Sequence, residues 1–264
     1  NDVHCVVEGY SRLSAMKKEL QETYAHVGAV SSGDYIQGNS LGAISRGEYV
    51  VELMNLVGYD AVSLGNHEFD YRLDRLNELI GMMDTKPICS NFQKIGESEP
   101  YFKPYSIVSY GNVDVAYIGI TTPSTLTSSS PAQFKDDNGN FLYTFNTATL
   151  YEIVQKNINA AKAAGADYII ALSHIGYEED PQYEDVRDLI ENTDGFDAVL
   201  DAHSHTVIEE KLVKNKNGED VLLSSTGTKF ANIGKLTISG NSITTELISL
   251  EDYTATDPVV DECI

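Results

Sequence analysis

The sequence has few cysteines and no long apolar run. Its three cysteines, Cys5, Cys89 and Cys263, are too few for a disulfide framework and form no CxxC metal motif. No apolar stretch approaches the roughly 20 residues of a membrane-spanning helix, and no signal peptide with a basic start and an apolar middle is present. We therefore expect no membrane span, and we expect Cys89 to be a buried thiol.

Basic side chains are also scarce. The chain has 18 Lys and Arg against 40 Asp and Glu, which gives a formal net charge of -22. A nucleic-acid-binding surface needs a basic stripe, so this composition argues against nucleic acid and anionic lipid as partners. An anionic substrate would need a local reversal of the field, which bound dications usually supply.

Several catalytic motifs are missing as well. The sequence contains no P-loop and no GxGxxG motif, and we expect no GxSxG nucleophile elbow. The HEFDY of residues 67–71 is not the HExxH zinc motif, because Tyr71 stands where the second histidine should be. Hydrolysis by a metal-activated water is the chemistry that remains.

Alternating helical and strand patterns indicate a layered α/β fold with largely parallel central strands. Apolar residues at steps of three and four predict helices over 11–24, 48–57, 73–83, 149–164 and 183–192. Short apolar runs predict strands at 27–30, 61–64, 87–90, 168–172 and 198–200, and hairpins over 107–120, 207–225 and 236–250, the last turning at Gly240-Asn241. Residues 121–140 predict a surface loop, and residues 251–264 a tail without a packing partner.

Polar residues follow several of these strands. GNHEFD (65–70), SSGD (31–34), Ser173-His174 and DAHSH (201–205) each come directly after an apolar run. Asp2 and His4 lie two apart, so in an extended segment they would point the same way. Five of the six histidines lie in such positions, together with Asp2, Asp34 and Asn66. This arrangement favours a metal site over separate structural roles, because ligands bind at the carboxyl ends of strands in open α/β sheets.

Five motifs resemble those of a known family, in order and spacing: NDVH, SGDYIQG, SLGNHEFDY, LSHIGYE and DAHSH. They are similar to the calcineurin-like metallophosphoesterases, and among these to the bacterial 5′-nucleotidases, a group that includes UDP-sugar hydrolases and 2′,3′-cyclic phosphodiesterases. CSNF and STGTK extend the resemblance over nearly the whole chain. The resemblance implies a four-layer α/β/β/α sandwich with two mixed sheets, formed by a catalytic domain of residues 1–250.

The resemblance also implies two divalent metal ions and their ligands. One ion would be held by Asp2, His4, Asp34 and His205, and the other by Asp34, Asn66, His174 and His203, with Asp34 bridging the two. His67 and Asp70 resemble the catalytic dyad of the family. Mixed imidazole, carboxylate and amide ligands suit Zn, Mn, Fe or Co. We expect Glu68 to form hydrogen bonds within its turn, and Asp201 to contact a ligating histidine.

The function that the resemblance implies is release of phosphate from nucleoside 5′-monophosphates or related small-molecule phosphoesters, by attack of a metal-bridged hydroxide. Family members of full length carry a C-terminal substrate-binding domain, so residues 251–264 would be a tail or the start of a linker to it. The expected location is extracellular, cell-wall-attached or periplasmic. Two alternatives stay open: a non-catalytic binding or adhesion module that keeps the metals, and a two-metal hydrolase of a non-nucleotide ester.

Overall fold

The structure, a computed structural model, describes residues 1–178, 180, 184–240 and 242–264. Within these residues the helices are α1 (Glu8–Thr23), α2 (Ser40–Ser45), α3 (Glu48–Val57), α4 (Leu73–Met82), α5 (Thr125–Ser128), α6 (Leu150–Ala163), α7 (Val186–Glu191) and α8 (Pro258–Asp261). The strands are β1 (Val30–Ser31), β2 (Ala61–Val62), β3 (Gln93–Lys94), β4 (Tyr105–Tyr110), β5 (Val113–Thr121), β6 (Tyr143–Thr144), β7 (Tyr168–His174), β8 (Ala198–Leu200), β9 (Val207–Lys214), β10 (Asp220–Thr226), β11 (Asn232–Ser239) and β12 (Ser242–Ser249). Short 3-10 helices span His67–Phe69, Pro131–Phe134 and Thr147–Thr149.

The largest sheet among the described residues has six strands in the order β4-β5-β7-β8-β10-β9. The four inner strands run parallel, and the two edge strands β4 and β9 are antiparallel to their neighbours. In β7 every residue from Ile169 to His174 is buried, as expected for a strand that is covered on both faces. The sheet is therefore mixed, with a parallel centre.

A second layer of strands packs on one face of this sheet. It consists of the parallel pair β1-β2 and the antiparallel hairpin β11-β12. Ala61 and Ile88 pack with Val115, Tyr117 and Ile170 of the large sheet, so a shared apolar core lies between the two layers. The two pairs do not join each other, so β1-β2 and β11-β12 are separate two-stranded sheets.

Helices cover the outer faces of both strand layers. Val50, Leu53 and Leu79 of α3 and α4 join Val62 in one core, and Ile158 and Leu189 of α6 and α7 join the large sheet in another. The order of layers is helix, strand, strand, helix, which confirms the predicted four-layer α/β/β/α sandwich with mixed strands. No helix in the part of the chain that the structure describes is long and apolar enough to cross a bilayer.

The C-terminal segment has a packing partner, contrary to the prediction. Asp257 accepts hydrogen bonds from Ser14 Oγ at 2.5 Å and Lys18 Nζ at 2.6 Å, both on α1, and its side chain also caps α8. Val260 of α8 is buried in the helix layer. These contacts join residues more than 230 positions apart, so the local pattern of the tail gave no sign of them.

Residues 121–140 are only partly the surface loop that was predicted. They contain α5 and a 3-10 helix, and Phe134 is fully buried in a cluster with Phe69, Phe92 and Phe145. The ring centroids of Phe69 and Phe92 are 5.1 Å apart, and those of Phe92 and Phe145 are 4.7 Å apart. One aromatic in a polar segment gives no periodic signal, although here it anchors the turn that contains His67.

Element bounds differ from the predictions at several places. The predicted strand at 87–90 is reduced to isolated bridges from Ile88 to Ser63 and Lys103, and β1 keeps only two residues. In α1 the buried residues include Tyr10, Ser14 and Met16, whereas Leu20 and Tyr24, at apolar positions of the predicted helix over 11–24, line an apolar pocket of about 450 Å³. Tyr183, the predicted start of a helix, and Asn241, in the predicted hairpin turn, lie outside the described residues.

Candidate metal centre

The residues predicted to bind metal come together at one edge of the sandwich. Asp34 and Asn66 follow β1 and β2, His174 is the last residue of β7, and His203 and His205 follow β8. The N-terminal segment runs alongside, because Asp2 N donates to Gly33 O and His4 N to Asp34 O, each at 3.0 Å. The carboxyl ends of four parallel strands thus meet the start of the chain.

The backbone of this cluster is unusual. Asp2, His4, Asp34, His203 and His205 all have φ between +49° and +76°. Non-glycine residues rarely adopt this left-handed region, and such conformations persist at functional sites where surrounding contacts hold them. The extended conformation predicted for residues 1–5 is therefore wrong. Hydrogen bonds on both sides hold the segment, since Lys229 N also donates to Asp2 O at 2.8 Å.

Three groups of side chains bring possible ligand atoms within 4.8 Å of one another. The groups are Asp2, His4 and His205; His4, Asp34 and His67; and Asp34, His174 and His203. Asp34 and His4 each belong to two groups. Six of the seven predicted ligands, all but Asn66, therefore lie in these groups together with His67, and Asp34 links His4 to His174 and His203.

Within the cluster, imidazole nitrogens lie close to each other and to carboxylate oxygens. His4 Nε2 lies 3.0 Å from His205 Nε2, and His205 Nε2 lies 3.5 Å from Asp2 Oδ1. His174 Nε2 lies 3.1 Å from Asp34 Oδ2 and 3.9 Å from Asp2 Oδ1. Asp2, Asp34 and His174 are fully or almost fully buried, so solvent does not supply their partners.

Backbone carbonyls fix two of the imidazoles. His4 Nδ1 lies 3.1 Å from Gln37 O and His174 Nδ1 lies 2.7 Å from Ser32 O. A carbonyl oxygen can only accept, so in both rings Nδ1 carries a proton and Nε2 faces the cluster, where its lone pair is free when the ring is neutral. This is the arrangement in which imidazoles coordinate metal ions, with the second nitrogen held by an outer partner.

Two buried polar atoms of the cluster make no well-aligned hydrogen bond among the described residues. They are Asn66 Oδ1 and His174 Nε2, the second of which lies 3.1 Å from Asp34 Oδ2 but outside hydrogen-bond geometry. Buried polar atoms are normally paired, and an unpaired one calls for an explanation such as an ion. Both atoms are of the kind that coordinates divalent metals, so the donor set fits the metal that the family resemblance implies.

The pKa values of the histidines in the cluster depend on burial and on the charges of their neighbours. Burial alone would lower the pKa of His174, but the negative charges of Asp34 and Asp2 raise it to about 10. Burial and the nearby His174 lower the pKa of His203 to about 4. The buried carboxylates thus require a positive charge beside them, which a divalent cation can supply in place of a proton.

His67 and Asp70 form a pair at the edge of the cluster. His67 Nδ1 lies 2.6 Å from Asp70 Oδ2, and 33% of the His67 side chain is exposed, so a bound molecule could reach it. Burial opposes the charged ring, yet the hydrogen bond that Nδ1–H donates to Asp70 and the charge of Asp34 raise the pKa of His67 to about 9. The aromatic cluster below anchors the turn through Phe69, and Gln133 Nε2 donates to Phe69 O at 2.7 Å.

Glu68 does more than the predicted hydrogen bonding within its own turn. Its carboxylate accepts from Gly65 N at 2.6 Å, and also from the backbone of the other loop, Asp34 N and Tyr35 N at 2.8 Å and Ile36 N at 3.3 Å. The side chain is fully buried. Burial, with the nearby charge of Asp34, raises the pKa of Glu68 to about 7.

The predicted contact between Asp201 and a ligating histidine is wrong. Asp201 Oδ1 accepts from Ser173 Oγ at 2.7 Å and, at longer range, from Ile175 N and Gly176 N. The backbone turns sharply at Gly176, where φ is +102°, and this brings the amides of the loop after β7 toward Asp201. Asp201 therefore holds that loop and forms no hydrogen bond with His174, although the charges of the two groups interact.

Some contributors carried no signal in the sequence. Ser32 and Gln37 act through backbone carbonyls, which any residue type has. Asn1 donates from Nδ2 to Asp2 Oδ2 at 2.7 Å, and only its position beside Asp2 could have suggested this.

Residues 38–42, GNSLG, also spell the GxSxG pattern of serine hydrolases. That pattern requires a strand before the serine, whereas Ser40 begins α2 after an irregular segment, with Asn39 as the N-cap. Among the described residues no histidine forms a hydrogen bond with Ser40. The pattern is therefore incidental here.

Comparison with known proteins gives consistent relatives. The chain is 30% identical over 238 residues to a snake venom 5′-nucleotidase of Gloydius brevicauda, covering 79% of this chain and 36% of that protein. It is 26% identical over 234 residues to a 2′,3′-cyclic-nucleotide 2′-phosphodiesterase/3′-nucleotidase of Haemophilus influenzae, covering 81% of this chain and 34% of that protein. The crystal structure of a 5′-nucleotidase precursor from Thermus thermophilus matches with a TM-score of 0.85 and 25% identity, covering 100% of this chain and 56% of that one.

The chain thus spans a minor part of both curated relatives. A family model described as calcineurin-like phosphoesterase matches residues 1–207 of the 264, which is well over half of the chain. The motifs, the four-layer fold and this match agree: the chain belongs to the calcineurin-like phosphoesterase family.

Proposed function

We propose that this chain is a two-metal phosphoester hydrolase of the 5′-nucleotidase type, which releases phosphate from nucleoside 5′-monophosphates or related small-molecule phosphoesters. The observation that carries the proposal is the position of Asp34, whose carboxylate belongs to two of the three groups of ligand atoms. The names of the relatives support the substrate class, since one is a 5′-nucleotidase and another a cyclic-nucleotide phosphodiesterase and 3′-nucleotidase.

The proposed ligand sets are those that the family resemblance implies, and two of the observed groups of ligand atoms fall within them. Asp2, His4, Asp34 and His205 would hold one ion, and Asp34, Asn66, His174 and His203 would hold the other. When bound, divalent cations polarise phosphoryl oxygens and lower the pKa of a water that attacks phosphorus. Mixed imidazole, carboxylate and amide ligands suit Zn²⁺, Mn²⁺, Fe²⁺ or Co²⁺.

The carboxylates leave the centre attractive to phosphate. Asp2 and Asp34 cancel two of the four charges of a dication pair, so a local charge of about +2 remains beside the neutral imidazoles and the amide. This charge lies within a protein of net charge -22. Binding of an anionic substrate therefore depends on the occupied centre, because the rest of the surface repels it.

His67 and Asp70 would act on the reacting phosphoryl group. The hydrogen bond that His67 Nδ1–H donates to the Asp70 carboxylate orients the ring and favours its protonated form. The Nε2–H of His67 then donates to an oxygen on which charge develops in the transition state. The neighbouring ring of His4, 5.2 Å away between centroids, places this donor at the edge of the cluster.

The experiment that tests the proposal removes and restores the metals. The protein is stripped with a chelator, each of Zn²⁺, Mn²⁺, Fe²⁺ and Co²⁺ is added back alone, and phosphate release is measured from AMP, 2′,3′-cyclic AMP, UDP-glucose and p-nitrophenyl phosphate. We expect the stripped protein to be inactive and at least one ion to restore release from a nucleotide.

Asp34→Ala is the matched variant, and we expect it to lose both ions because it removes the ligand that the two sets share. Absence of hydrolysis from every ester with every ion, in a protein that binds metal, would contradict the catalytic proposal and leave a binding module. Hydrolysis of the aryl ester without any nucleotide would indicate a hydrolase of another ester. The predicted extracellular, cell-wall or periplasmic location stays a prediction.

A further inference from the structure

A single buried carboxylate joins two of the loops that carry predicted ligands. Glu68 Oε2 accepts from Asp34 N at 2.8 Å and Gly65 N at 2.6 Å, while Oε1 accepts from Tyr35 N at 2.8 Å and Ile36 N at 3.3 Å. An ionised carboxylate offers about four acceptor positions, and here four backbone donors use them.

The two loops meet so closely that few side chains could link them. A Cβ atom on Gly33 would lie 2.3 Å from Gly65 N, and one on Gly65 would lie 2.1 Å from Asp34 Oδ1. The loops therefore touch through their backbones, and Glu68 reaches both from the buried side. No other side chain in the described part of the chain bonds to the backbone N–H of both Asp34 and Gly65.

The positions that Glu68 fixes are those on which the cluster depends. The backbone of Asp34 is left-handed, with φ of +58°, and the N–H of the same residue donates a hydrogen bond to Glu68. Asp34 Oδ1 in turn accepts from His67 N at 2.9 Å, so the bridging carboxylate and the dyad are tied to the same support.

We propose that Glu68 is a positioning residue that holds the Gly33–Ile36 and Gly65–His67 loops in register for metal binding, before any ion arrives. The inference rests on the metal site proposed above. It goes beyond that site because Glu68 is neither one of the proposed ligands nor part of the His67–Asp70 pair, and its hydrogen bonds are to backbone N–H groups.

Replacing the carboxylate by an amide tests this with almost no change of shape. In Glu68→Gln one oxygen becomes an NH₂ group, which cannot accept, so two of the four backbone donors lose their partner whichever way the amide turns. The loops are then free to separate, and Asp34 moves away from His174 and His4. We expect the two-site affinity for Zn²⁺, measured by calorimetric titration of the stripped protein, to fall by about 10- to 100-fold.

Asp257→Asn is the matched control. It makes the same carboxylate-to-amide change at a buried residue that accepts from Ser14, Lys18 and the α8 backbone, but its contacts include no predicted ligand. Both variants should melt at a lower temperature than the unmodified chain, and only Glu68→Gln should weaken Zn²⁺ binding. Glu68→Asp, which keeps four acceptor positions but shortens the reach, should fall between Glu68→Gln and the unmodified chain.

Equal Zn²⁺ affinity in Glu68→Gln and the unmodified chain would overturn the inference and leave the proposed function intact. Absence of Zn²⁺ and Mn²⁺ binding in the unmodified chain would instead overturn the metal site itself. If the Glu68 variants do not fold, hydrogen exchange of the stripped, unmodified chain decides the question. The amides of Asp34, Tyr35 and Gly65 should be protected without metal, and rapid exchange at these amides would contradict the inference.

Discussion

The imidazole of His67 differs from the others of the cluster in its partner and its surroundings. Its Nδ1 bonds to the carboxylate of Asp70, whereas His4 and His174 turn Nδ1 to backbone carbonyls. A carboxylate partner favours the charged ring, whereas a carbonyl partner fixes the proton on Nδ1 and leaves Nε2 to face the cluster. The same residue type thus has two kinds of partner here, which supports the proposal of two different roles.

Replacing His67 should separate catalysis from metal binding. We expect His67→Ala to keep both ions and to lose about 10² to 10⁴ in turnover, because a positioned proton donor contributes that much. The measurement is kcat for a nucleotide together with metal content by mass spectrometry. His26→Ala, at an exposed histidine outside the cluster, is the control and should change neither. Unchanged turnover in His67→Ala would show that the dyad assignment is wrong.

Gly65 is a second residue at which a small change should matter. A Cβ atom there would lie 2.1 Å from Asp34 Oδ1 and 2.6 Å from His174 Cε1, so Gly65→Ala must push two predicted ligands apart. We expect this variant to fold and to lose high-affinity Zn²⁺ binding in a calorimetric titration.

The control for Gly65→Ala is Gly81→Ala in α4, where an added Cβ meets nothing within 4 Å. It should bind Zn²⁺ like the unmodified chain and gain about 0.4 to 1 kcal/mol of stability, because alanine restricts the unfolded chain more than glycine does. Normal Zn²⁺ binding by Gly65→Ala would mean that the loops yield without disturbing the ligands.

The sequence could indicate those residues of the cluster whose side chains are themselves possible metal ligands. The motifs indicated the carboxylates, the imidazoles and Asn66, because such side chains rarely follow strands together by chance. They could not indicate that Glu68 reaches across to residues 34–36, or that Asp201 bonds to Ser173. Those partners are determined by how the loops pack, which the local sequence does not encode.

Among the elements, two of the shortest strands lead into the site. β1 and β2 contribute two residues each, yet their ends carry Asp34 and Asn66 into the cluster. The α3 helix and β8 agree with the predicted bounds, because a clear apolar stripe and a short apolar run leave little choice. The α8 helix could not be predicted, since four residues provide too short a periodic pattern.

The link between α8 and α1 gives a test at the level of an element. Burial alone would raise the pKa of Asp257, but hydrogen bonds from Lys18 and Ser14 lower it below its ordinary value of 3.8. A lowered carboxyl pKa contributes stability above the ordinary value, and this contribution is lost as the pH falls through the lowered value. Asp257→Asn should therefore reduce stability at pH 7 by about 1 kcal/mol, as expected for a weakened helix cap.

Thermal unfolding at several pH values measures this effect. The difference between Asp257→Asn and the unmodified chain should be largest at neutral pH and should shrink as the pH falls below 3.8 toward the lowered pKa. A difference that is constant with pH would show that the charge of Asp257 does not carry the contact.

At the scale of the whole molecule, the sequence predicted the fold in more detail than it predicted the substrate. The family resemblance implied the four layers, and the structure has them. The choice of substrate was not predictable, because the groups that bind the rest of a phosphoester need not belong to the motifs that bind metal. The curated relatives are also much longer than the matched region, which covers 36% of one and 34% of another.

Removing the metals should loosen the whole molecule, because the proposed ligands join segments from Asp2 to His205. An ion held at a concentration of 100 times its Kd adds about 2.7 kcal/mol of stability, which corresponds to a Tm shift of roughly 5 to 10 °C for a protein of this size. We expect a chelator, which removes both proposed ions, to lower Tm by about this amount for each ion in calorimetry, and to leave the Tm of Asp34→Ala unchanged. An unmodified chain that melts at the same temperature with and without chelator would contradict the proposed centre.

The pairing of Asp2 with His205, whose nearest atoms are 3.5 Å apart, also sets an order in time. A ribosome adds roughly 5 to 20 residues per second, so about 10 to 40 seconds separate the synthesis of these two ligands. During that interval the N-terminal segment can form its backbone contacts with residues 33–35, but Asp2 and His4 lack their neighbours from the loop after β8. The predicted ligands are therefore brought together only after that loop has been made, and a metal ion that arrives earlier would meet only part of the proposed set.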